Sequence, residues 1–138
     1  RLEGAEAGME PIGKRIIEMP VSPELVGLRD WRQTFVTYVP PGSLKRGEDL
    51  VTTGGNGRTQ KCTICHGDDL MGLGNVPRLA GVHPAYLARQ LFLFKDGARN
   101  GPDAPLMKKA VAQMTDQDVV NVVAYLASLD PTKPAPIK

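Results

Sequence analysis

The sequence predicts an all-α domain over residues 42–138, preceded by an irregular N-terminal arm over residues 1–41. Two observations support this division. Five of the twelve prolines lie in the first 41 residues, and proline disrupts long helices. From Ser43 onwards, apolar residues recur at helical spacing, and no convincing strand pair or internal repeat follows the arm. We therefore expect two segments of different character.

The arm contains a short extended segment and a group of aromatic residues. Residues 34–39 are predicted to be extended and end at Pro40-Pro41. Trp31, the only tryptophan, lies near Phe35 and Tyr38 in the sequence. These side chains either cover an apolar flank of the domain or form a docking or dimer contact. We favour the first interpretation because exposed aromatic clusters are uncommon in monomers.

Two helices are predicted in the first half of the domain. The first has Ser43 as its N-cap and stops at Gly54-Gly55. The second begins at Pro84, because proline is favoured in the first helical turn, and Gly97 is placed to end it. The apolar residues that follow helical spacing in these two segments are Leu44, Leu50, Val51, Leu87, Leu91 and Phe94.

Two further helices are predicted near the C-terminus. Thr115 and Asp118 resemble a capping box, with Asp in place of the usual Glu. The helix that they begin is closed by Asp130-Pro131, and a shorter helix over residues 106–112 precedes it. The apolar positions of the helix that begins at the capping box are Val119, Val122, Val123 and Leu126.

The loops between these helices are long for a small domain. They cover residues 55–61, 67–82 and 97–105, and loops of this length need something to pack against. Only 5% of the residues are aromatic, so a small core would gain much from burying a large flat cofactor.

Composition excludes several classes of protein. The 17 Lys and Arg residues barely outnumber the 15 Asp and Glu residues, a formal net charge of +2, whereas nucleic-acid binding usually needs a strong basic stripe. No stretch approaches the roughly 20 apolar residues of a membrane-spanning helix. The chain starts at Arg1 rather than Met, so we expect that an upstream segment was removed or replaced.

The chemistry of the chain centres on its two cysteines. Cys62-Thr63-Ile64-Cys65-His66 is the C-x-x-C-H pattern of covalent haem attachment. The two thiols would add across the vinyl groups of the haem, and the adjacent His66 would offer an imidazole nitrogen to the iron. Covalent attachment allows a short chain to retain haem without a large pocket.

Three other interpretations of the motif remain open. A thioredoxin-like redox site would need an α/β context, and no strand pattern surrounds this motif. A zinc site could use Cys62, Cys65, His66 and His83, although adjacent Cys65 and His66 suit one tetrahedral ion poorly. The third interpretation is a structural disulfide between the two cysteines.

The motif and its surroundings resemble class I cytochromes c, and more narrowly one haem domain of the bacterial c-four cytochromes. The resemblance covers about residues 43–130. It implies the class I cytochrome c fold, with about four to five helices around one covalently bound haem c. The chain departs from the c-four pattern in its single motif and in its arm, so we expect one haem. The matching positions are Cys62, Cys65, His66, Gly67, Tyr86, Leu87, Gln90, Leu91, Met107 and residues 77–81, 97–99, 115–118 and 124–126.

The sixth iron ligand is expected to be a methionine. Met71 follows His66 too closely to reach the opposite face of the ring, and Met9 and Met19 lie in the arm. Met107 matches the ligand position of the family, so the resemblance implies iron ligation by His66 and Met107. Met114, His83 and an open site are the alternatives, and core packing is the better interpretation of Met114.

Further site residues follow from the same resemblance. It places the Pro77 carbonyl within reach of the His66 ring N–H, which would fix the tautomer of the ligand. Arg78 and Tyr86 are candidates to bind the haem propionates, although either could be an ordinary surface residue. Gly47 and Tyr125 are expected where the first and last helices cross, since a missing side chain lets two backbones approach.

The resemblance implies an electron carrier rather than an enzyme, one that passes single electrons through an exposed haem edge. Its partners would be a redox donor and acceptor, with no role for nucleic acid. Attachment of haem c implies the bacterial periplasm. Alternatives are the electron-accepting subunit of a larger dehydrogenase or oxidase, and a haem sensor with an open sixth site. The basic residues that could steer an acidic partner are Lys61, Arg99, Lys108 and Lys109.

Overall fold

The computed structural model describes residues 11–132. The chain divides into two compact units, an N-terminal unit of residues 1–40 and a C-terminal unit of residues 41–138. Met9, one of the methionines considered as ligands, lies outside the described residues. No helix within residues 11–132 is both long and apolar enough to cross a bilayer.

Within residues 11–40, the N-terminal unit contains a two-stranded antiparallel sheet and one short helix. Its elements are β1 (Ile17–Pro20), α1 (Pro23–Gly27) and β2 (Phe35–Tyr38). Ile17 lies opposite Tyr38, and Pro20 lies opposite Phe35. The extended segment predicted at residues 34–39 is confirmed as β2, whereas β1 and α1 were not predicted. Proline lies at the end of β1 and at the start of α1. Because frequent proline predicts irregular chain, these two elements had no separate signal in the sequence.

The described part of the C-terminal unit, residues 41–132, contains five helices. They are α2 (Ser43–Gly57), α3 (Thr63–His66), α4 (Pro84–Lys95), α5 (Ala104–Val111) and α6 (Asp116–Ser128). Helix α2 packs extensively on α6, and α4 packs against both α5 and α6. This arrangement confirms the all-α prediction for this part of the chain. The fully buried side chains of its core are Val51, Leu70, Val111, Val119, Val122, Val123 and Leu126.

Helices α2 and α6 cross at Gly47, as predicted. A Cβ atom at Gly47 would overlap the carbonyl oxygen of Asn121 and would lie 2.7 Å from the Cβ of Tyr125. Only the missing side chain permits this approach. The crossing buries the apolar faces of both helices and brings the end of α2 close to the start of α6.

The start of α2 corrects the prediction of an N-cap at Ser43. The residue before the helix is Gly42, in a left-handed conformation with φ of 76°, and Ser43 is already the first helical residue. The Ser43 side chain is buried, and its hydroxyl has no hydrogen-bond partner among the described residues. The chain turns at Gly42, so the N-cap position falls one residue earlier than serine propensity indicates. At the other end, Gly54 and Gly55 have positive φ and stop the right-handed stretch where predicted.

The ends of α4 and α6 follow the sequence signals. Pro84 occupies the first turn of α4, and the Gly97 N–H donates to the Phe94 carbonyl at 3.2 Å after that helix ends. Thr115 and Asp118 form the predicted capping box at the start of α6. The short helix predicted at residues 106–112 is α5, which begins two residues earlier, at Ala104.

Candidate functional site

The two cysteines and His66 lie on one turn of helix, which is anchored to α2. The Cys62 N–H donates to the Val51 carbonyl at 3.0 Å, and the Cys62 carbonyl accepts from the N–H of His66 at 3.0 Å. Both cysteines are free thiols in the structure, so it gives no support to the disulfide interpretation. Burial raises the pKa of the Cys62 thiol to about 11, which keeps this thiol protonated at neutral pH.

The His66 ring is buried and held in one orientation by a backbone carbonyl. Only 5% of the residue is exposed, and Nδ1 lies 2.7 Å from the carbonyl oxygen of Pro77. Because a carbonyl can only accept, Nδ1 carries the proton and donates it to Pro77. Nε2 therefore presents a lone pair, as an iron ligand requires.

The loop after His66 folds back tightly and places the Pro77 carbonyl beside the His66 ring. The Gly72 N–H donates to the His66 carbonyl at 2.9 Å, and Leu73 and Val76 exchange backbone hydrogen bonds of 3.1 and 3.0 Å. Gly72 has φ of 93°, and a Cβ atom there would lie 2.6 Å from the Val76 carbonyl oxygen. The loop thus returns directly over Gly72. Sequence reasoning missed this role, because one glycine in a glycine-rich loop gives no distinct signal.

The far end of the loop is tied to the core and to α6. Leu70 is 1% exposed, and its carbonyl accepts the N–H groups of Leu79 and Ala80 at 2.8 and 3.1 Å. The Gly81 N–H donates to the Leu126 carbonyl at 2.9 Å. These bonds fix both ends of the segment that carries Pro77.

The zinc interpretation does not agree with the arrangement of side chains. Within residues 11–132, no group of three or more His, Cys, Asp or Glu residues is arranged to hold a metal ion. The donor set fits haem c instead. It has two free thiols in a C-x-x-C spacing, an adjacent buried imidazole with Nε2 available, and long loops around them.

Comparison with known proteins decides the family. The family model described as Cytochrome c matches residues 44–130. The chain belongs to the cytochrome c family. Membership carries with it one covalently bound haem c, attached through Cys62 and Cys65, and a function in electron transfer.

Two relatives of this cytochrome c are bacterial proteins. It is 30% identical to cytochrome c4 of Stutzerimonas stutzeri over 149 residues, an alignment that covers 94% of this chain and 70% of the relative. It is 37% identical over 93 residues to the thiosulfate dehydrogenase electron acceptor of Stutzerimonas stutzeri, covering 65% of this chain and 40% of that protein.

A solved structure supports the same fold. The crystal structure of reduced recombinant cytochrome c4 from Pseudomonas stutzeri superimposes with a TM-score of 0.60 at 31% identity, covering 67% of this chain and 51% of the other. The chain therefore spans about half the length of the solved cytochrome c4. The resemblance stated from the sequence is confirmed.

The methionines of this cytochrome c occupy different environments. Met107 lies on α5 and is half-buried, whereas Met114 precedes α6 and is only 8% exposed. Met71 lies in the loop after His66, and Met19 lies on β1 with 54% of its surface exposed. Burial among apolar residues fits Met114 as a core residue.

Arg78 and Tyr86 are both exposed, on the Pro77 loop and on α4 respectively. The Arg78 guanidinium donates to the Pro131 carbonyl at 3.4 Å, a long bond that leaves most of its donors available. His83 is exposed at the N-cap position of α4. Arg78 and Tyr86 thus have polar groups at the surface, where a carboxylate could reach them.

The basic residues considered for partner docking are not equivalent. Lys61 and Lys109 are exposed. Arg99 donates to the Gln90 side chain at 2.7 Å and stacks 4.6 Å from the Phe94 ring centre. Lys108 is half-buried and donates to the side chain of Asn100. Lys108 is therefore engaged within the protein, and Lys61 and Lys109 are the freer charges.

An ion pair that sequence reasoning missed joins the end of α2 to the start of α6. The two terminal guanidinium nitrogens of Arg58, Nη1 and Nη2, each lie 2.7 Å from a carboxylate oxygen of Asp118. Asp118 also accepts from the N–H and the hydroxyl of Thr115, each at 2.8 Å. The hydrogen bonds from Arg58 and Thr115 lower the pKa of Asp118 to about 2. The sequence indicated the cap but not the partner 60 residues away.

Proposed function

We propose that this cytochrome c carries single electrons between exported redox proteins, with His66 and Met107 as the axial ligands of the haem iron. Residues 42–138 form the haem domain in this proposal, and residues 1–41 an accessory arm. The observation that carries it is the 2.7 Å contact between His66 Nδ1 and the Pro77 carbonyl. That contact leaves Nε2 as the only free ligand atom of a buried imidazole.

The residues of the chain hold the His66 side of the site in place through the redox cycle. Bound haem c supplies the one-electron Fe(III)/Fe(II) couple. His66 is fixed by Pro77, and the loop that carries Pro77 is fixed by Gly72 and by the Leu126 carbonyl. Little has to move when the charge of the site changes, which favours rapid electron transfer.

Met107 is supported as the sixth ligand by its environment and by its chemistry. It is half-buried on α5, whereas Met114 is almost fully packed in the core. A thioether sulfur saturates the iron and favours its reduced form. Both features are those of an electron carrier, and they argue against a sensor with an open sixth site.

The optical spectrum of the holoprotein tests this assignment. Met107→Leu should abolish the weak far-red band of sulfur bound to ferric iron and should allow the reduced protein to bind carbon monoxide. Met114→Leu removes a thioether of similar volume and should leave both properties unchanged. A far-red band that survives in Met107→Leu, or prompt carbon monoxide binding by the unsubstituted protein, would contradict the assignment.

Arg78 and Tyr86 are proposed to bind the haem propionates. Their polar groups are exposed, and Arg78 follows Pro77 directly in the loop that contacts His66. A guanidinium or phenol beside a carboxylate supplies the donor that a partly buried propionate needs.

The periplasm is proposed as the compartment of this cytochrome c, because haem c is attached outside the cytoplasm.

A second candidate is the role of electron-accepting subunit in a dehydrogenase. It is favoured by the relative named as a thiosulfate dehydrogenase electron acceptor and by Trp31, which is 90% exposed. In this role the arm would dock on the catalytic subunit, since large aromatics anchor protein interfaces.

A single substitution distinguishes docking from packing. Trp31→Ala should slow reduction by a thiosulfate dehydrogenase at least tenfold, as expected for an interface anchor, without changing the thermal midpoint. Leu28→Ala, at a residue 76% exposed in the same unit, is the control for loss of exposed apolar surface. A lowered midpoint with unchanged reduction would assign Trp31 to packing instead.

A further inference from the structure

The position of Met107 depends on what attaches the short helix α5 to the rest of the protein. Helix α5 has eight residues and no side-chain hydrogen bond at its N-cap, and a helix of this length is not stable alone. It packs most extensively against α4, and only Ala104 and Val111 of its side chains are fully buried. The contacts that join α4 to α5 and to the chain just after α5 therefore decide where the helix lies.

Lys95, the last residue of α4, fixes the C-terminal end of α5. Its Nζ donates to the Met114 carbonyl at 2.8 Å and lies 3.3 Å from a carboxylate oxygen of Asp116. The Lys95 side chain is only 21% exposed, whereas Asp116 is 83% exposed. The partly desolvated bond to the carbonyl is thus the stronger of the two, because exposed ion pairs are largely screened by solvent.

Lys108 makes the reciprocal connection from α5 to the chain that leaves α4. Its Nζ donates to the side-chain oxygen of Asn100 and lies 3.4 Å from the Gly97 carbonyl. Asn100 in turn donates to the same Gly97 carbonyl at 2.7 Å. Three groups therefore close a polar cluster between α5 and the loop that follows α4.

We propose that Lys95 and Lys108 are positioning residues that hold α5 against the end of α4 and thereby place Met107. The inference rests on the proposed role of Met107 as a ligand. The two lysines reach in opposite directions, one from α4 to the chain after α5 and the other from α5 to the chain after α4. Together they prevent α5 from sliding along α4 or lifting away from it.

For Lys108, this role differs from the partner-steering role that the sequence indicates. Lysines near the haem edge are read most simply as a docking surface for an acidic partner. Both side chains, however, direct Nζ to oxygens of the protein itself. The Lys95 bond to the Met114 carbonyl is partly buried, whereas the Lys108 bond to Asn100 lies at the surface.

The experiment compares Lys95→Leu and Lys108→Leu with Lys45→Leu in the haem-loaded protein. Leucine keeps an apolar side chain of high helix propensity while removing the charge and the donors, and it adds no thioether that could replace Met107. Lys45 is the matched control, because it lies on exposed α2 surface and, within residues 11–132, pairs with Glu48 and Asp49. Each protein is heated in its ferric form while the far-red band and the helical circular dichroism are recorded together.

In Lys95→Leu and Lys108→Leu, the far-red band should disappear at least about 5 °C below the helical transition, a shift that the loss of one charged hydrogen bond can produce. In Lys45→Leu the two transitions should stay together. A purely structural role would lower both midpoints together in Lys95→Leu and Lys108→Leu, and that result would overturn the inference.

Asp116→Asn separates the two contacts of Lys95. It removes the ion pair and leaves the Met114 carbonyl in place, so the far-red midpoint should stay within about 1 °C of that of the unsubstituted protein. A large shift in Asp116→Asn would assign the effect to the ion pair and overturn the role of the carbonyl bond. If the unsubstituted protein shows no band that depends on Met107, the proposed ligand fails instead, and the two failures are distinct.

Discussion

The hydrogen bond from His66 to the Pro77 carbonyl determines the chemistry available at the site. A backbone carbonyl carries no formal charge, so it fixes the tautomer of the imidazole without drawing the Nδ1 proton strongly away. A carboxylate in the same place would make the ring a stronger donor to iron. The neutral acceptor therefore does not oppose the proposed thioether ligand, which favours the reduced iron.

Gly72 is the residue on which the position of Pro77 most depends. Gly72→Ala should lower the free energy of unfolding by about 3 kcal/mol, because the new Cβ would collide with the Val76 carbonyl and φ is positive there. Gly74→Ala is the control, since Gly74 also has positive φ but no atom within 4 Å of an added Cβ. It should cost only about 1 kcal/mol.

Denaturant titration of both variants measures the difference, and the reduction potential reports on the His66 contact. Gly72→Ala should shift the potential as Pro77 moves, and Gly74→Ala should not. Equal losses of stability in the two variants would show that backbone conformation alone, rather than the close return of the loop, makes glycine necessary at residue 72.

At the scale of elements, Asp118 joins the end of α2 to the start of α6. Its pKa is about 2 in the folded protein, below the ordinary value of 3.8. A carboxyl with a lowered pKa stabilises the fold above its unfolded pKa and loses that contribution as the pH falls through the folded value. The protein should therefore lose about 2 kcal/mol of stability between about pH 4 and pH 2 through this group.

Asp118→Asn should lower the free energy of unfolding by about 2 kcal/mol at neutral pH and should remove this part of the acid dependence. Urea titrations across the pH range measure both effects. Thr115→Ala is the companion variant, because it removes the hydroxyl that caps α6 and donates to Asp118 but leaves the Arg58 pair in place. It should cost about 1 kcal/mol at pH values above about 4. An unchanged acid dependence in Asp118→Asn would show that other carboxyl groups produce it.

The elements differ in how far the sequence determines them. Proline at the start of α4, glycine after it and the Thr115 capping box are local signals, and each marks its boundary correctly. The Arg58–Asp118 pair joins residues that meet only through the tertiary fold, so no local pattern predicts it. The return of the loop over Gly72 is local, but one glycine among several in that loop gives no distinct signal. The Ser43 prediction failed for a related reason, since the turn at Gly42 and not the serine side chain sets the start of α2.

At the scale of the whole molecule, the C-terminal unit follows from its helical periodicity and its single haem motif, whereas the N-terminal unit does not. Its sheet buries little, and several apolar side chains stay exposed on one face, so apolar alternation alone gave a weak signal. The exposed face comprises Ile17, Met19, Val36 and Tyr38. The iron ligands and the propionate partners also stay predictions, because they require the haem in place.

The charge of the surface leads to a prediction for the molecule in solution. Lys109 is exposed, whereas Lys45 is locally neutralised by Glu48 and Asp49. Lys109 should therefore contribute more than Lys45 to the attraction of an anionic partner towards the site. Oxidation of the reduced protein by ferricyanide, a small anion, should slow about twofold in Lys109→Gln at low ionic strength and stay unchanged in Lys45→Gln.

The sign of the salt effect separates steering from other causes of a slower rate. Stopped-flow measurements at increasing ionic strength should bring the rates of Lys109→Gln and the unsubstituted protein together, because salt screens exposed charges beyond about 10 Å. With a cationic oxidant such as a tris(phenanthroline)cobalt(III) complex, Lys109→Gln should react faster than the unsubstituted protein. A loss of rate with both oxidants, insensitive to salt, would mean that the substitution alters the redox site itself rather than the field that guides partners to it.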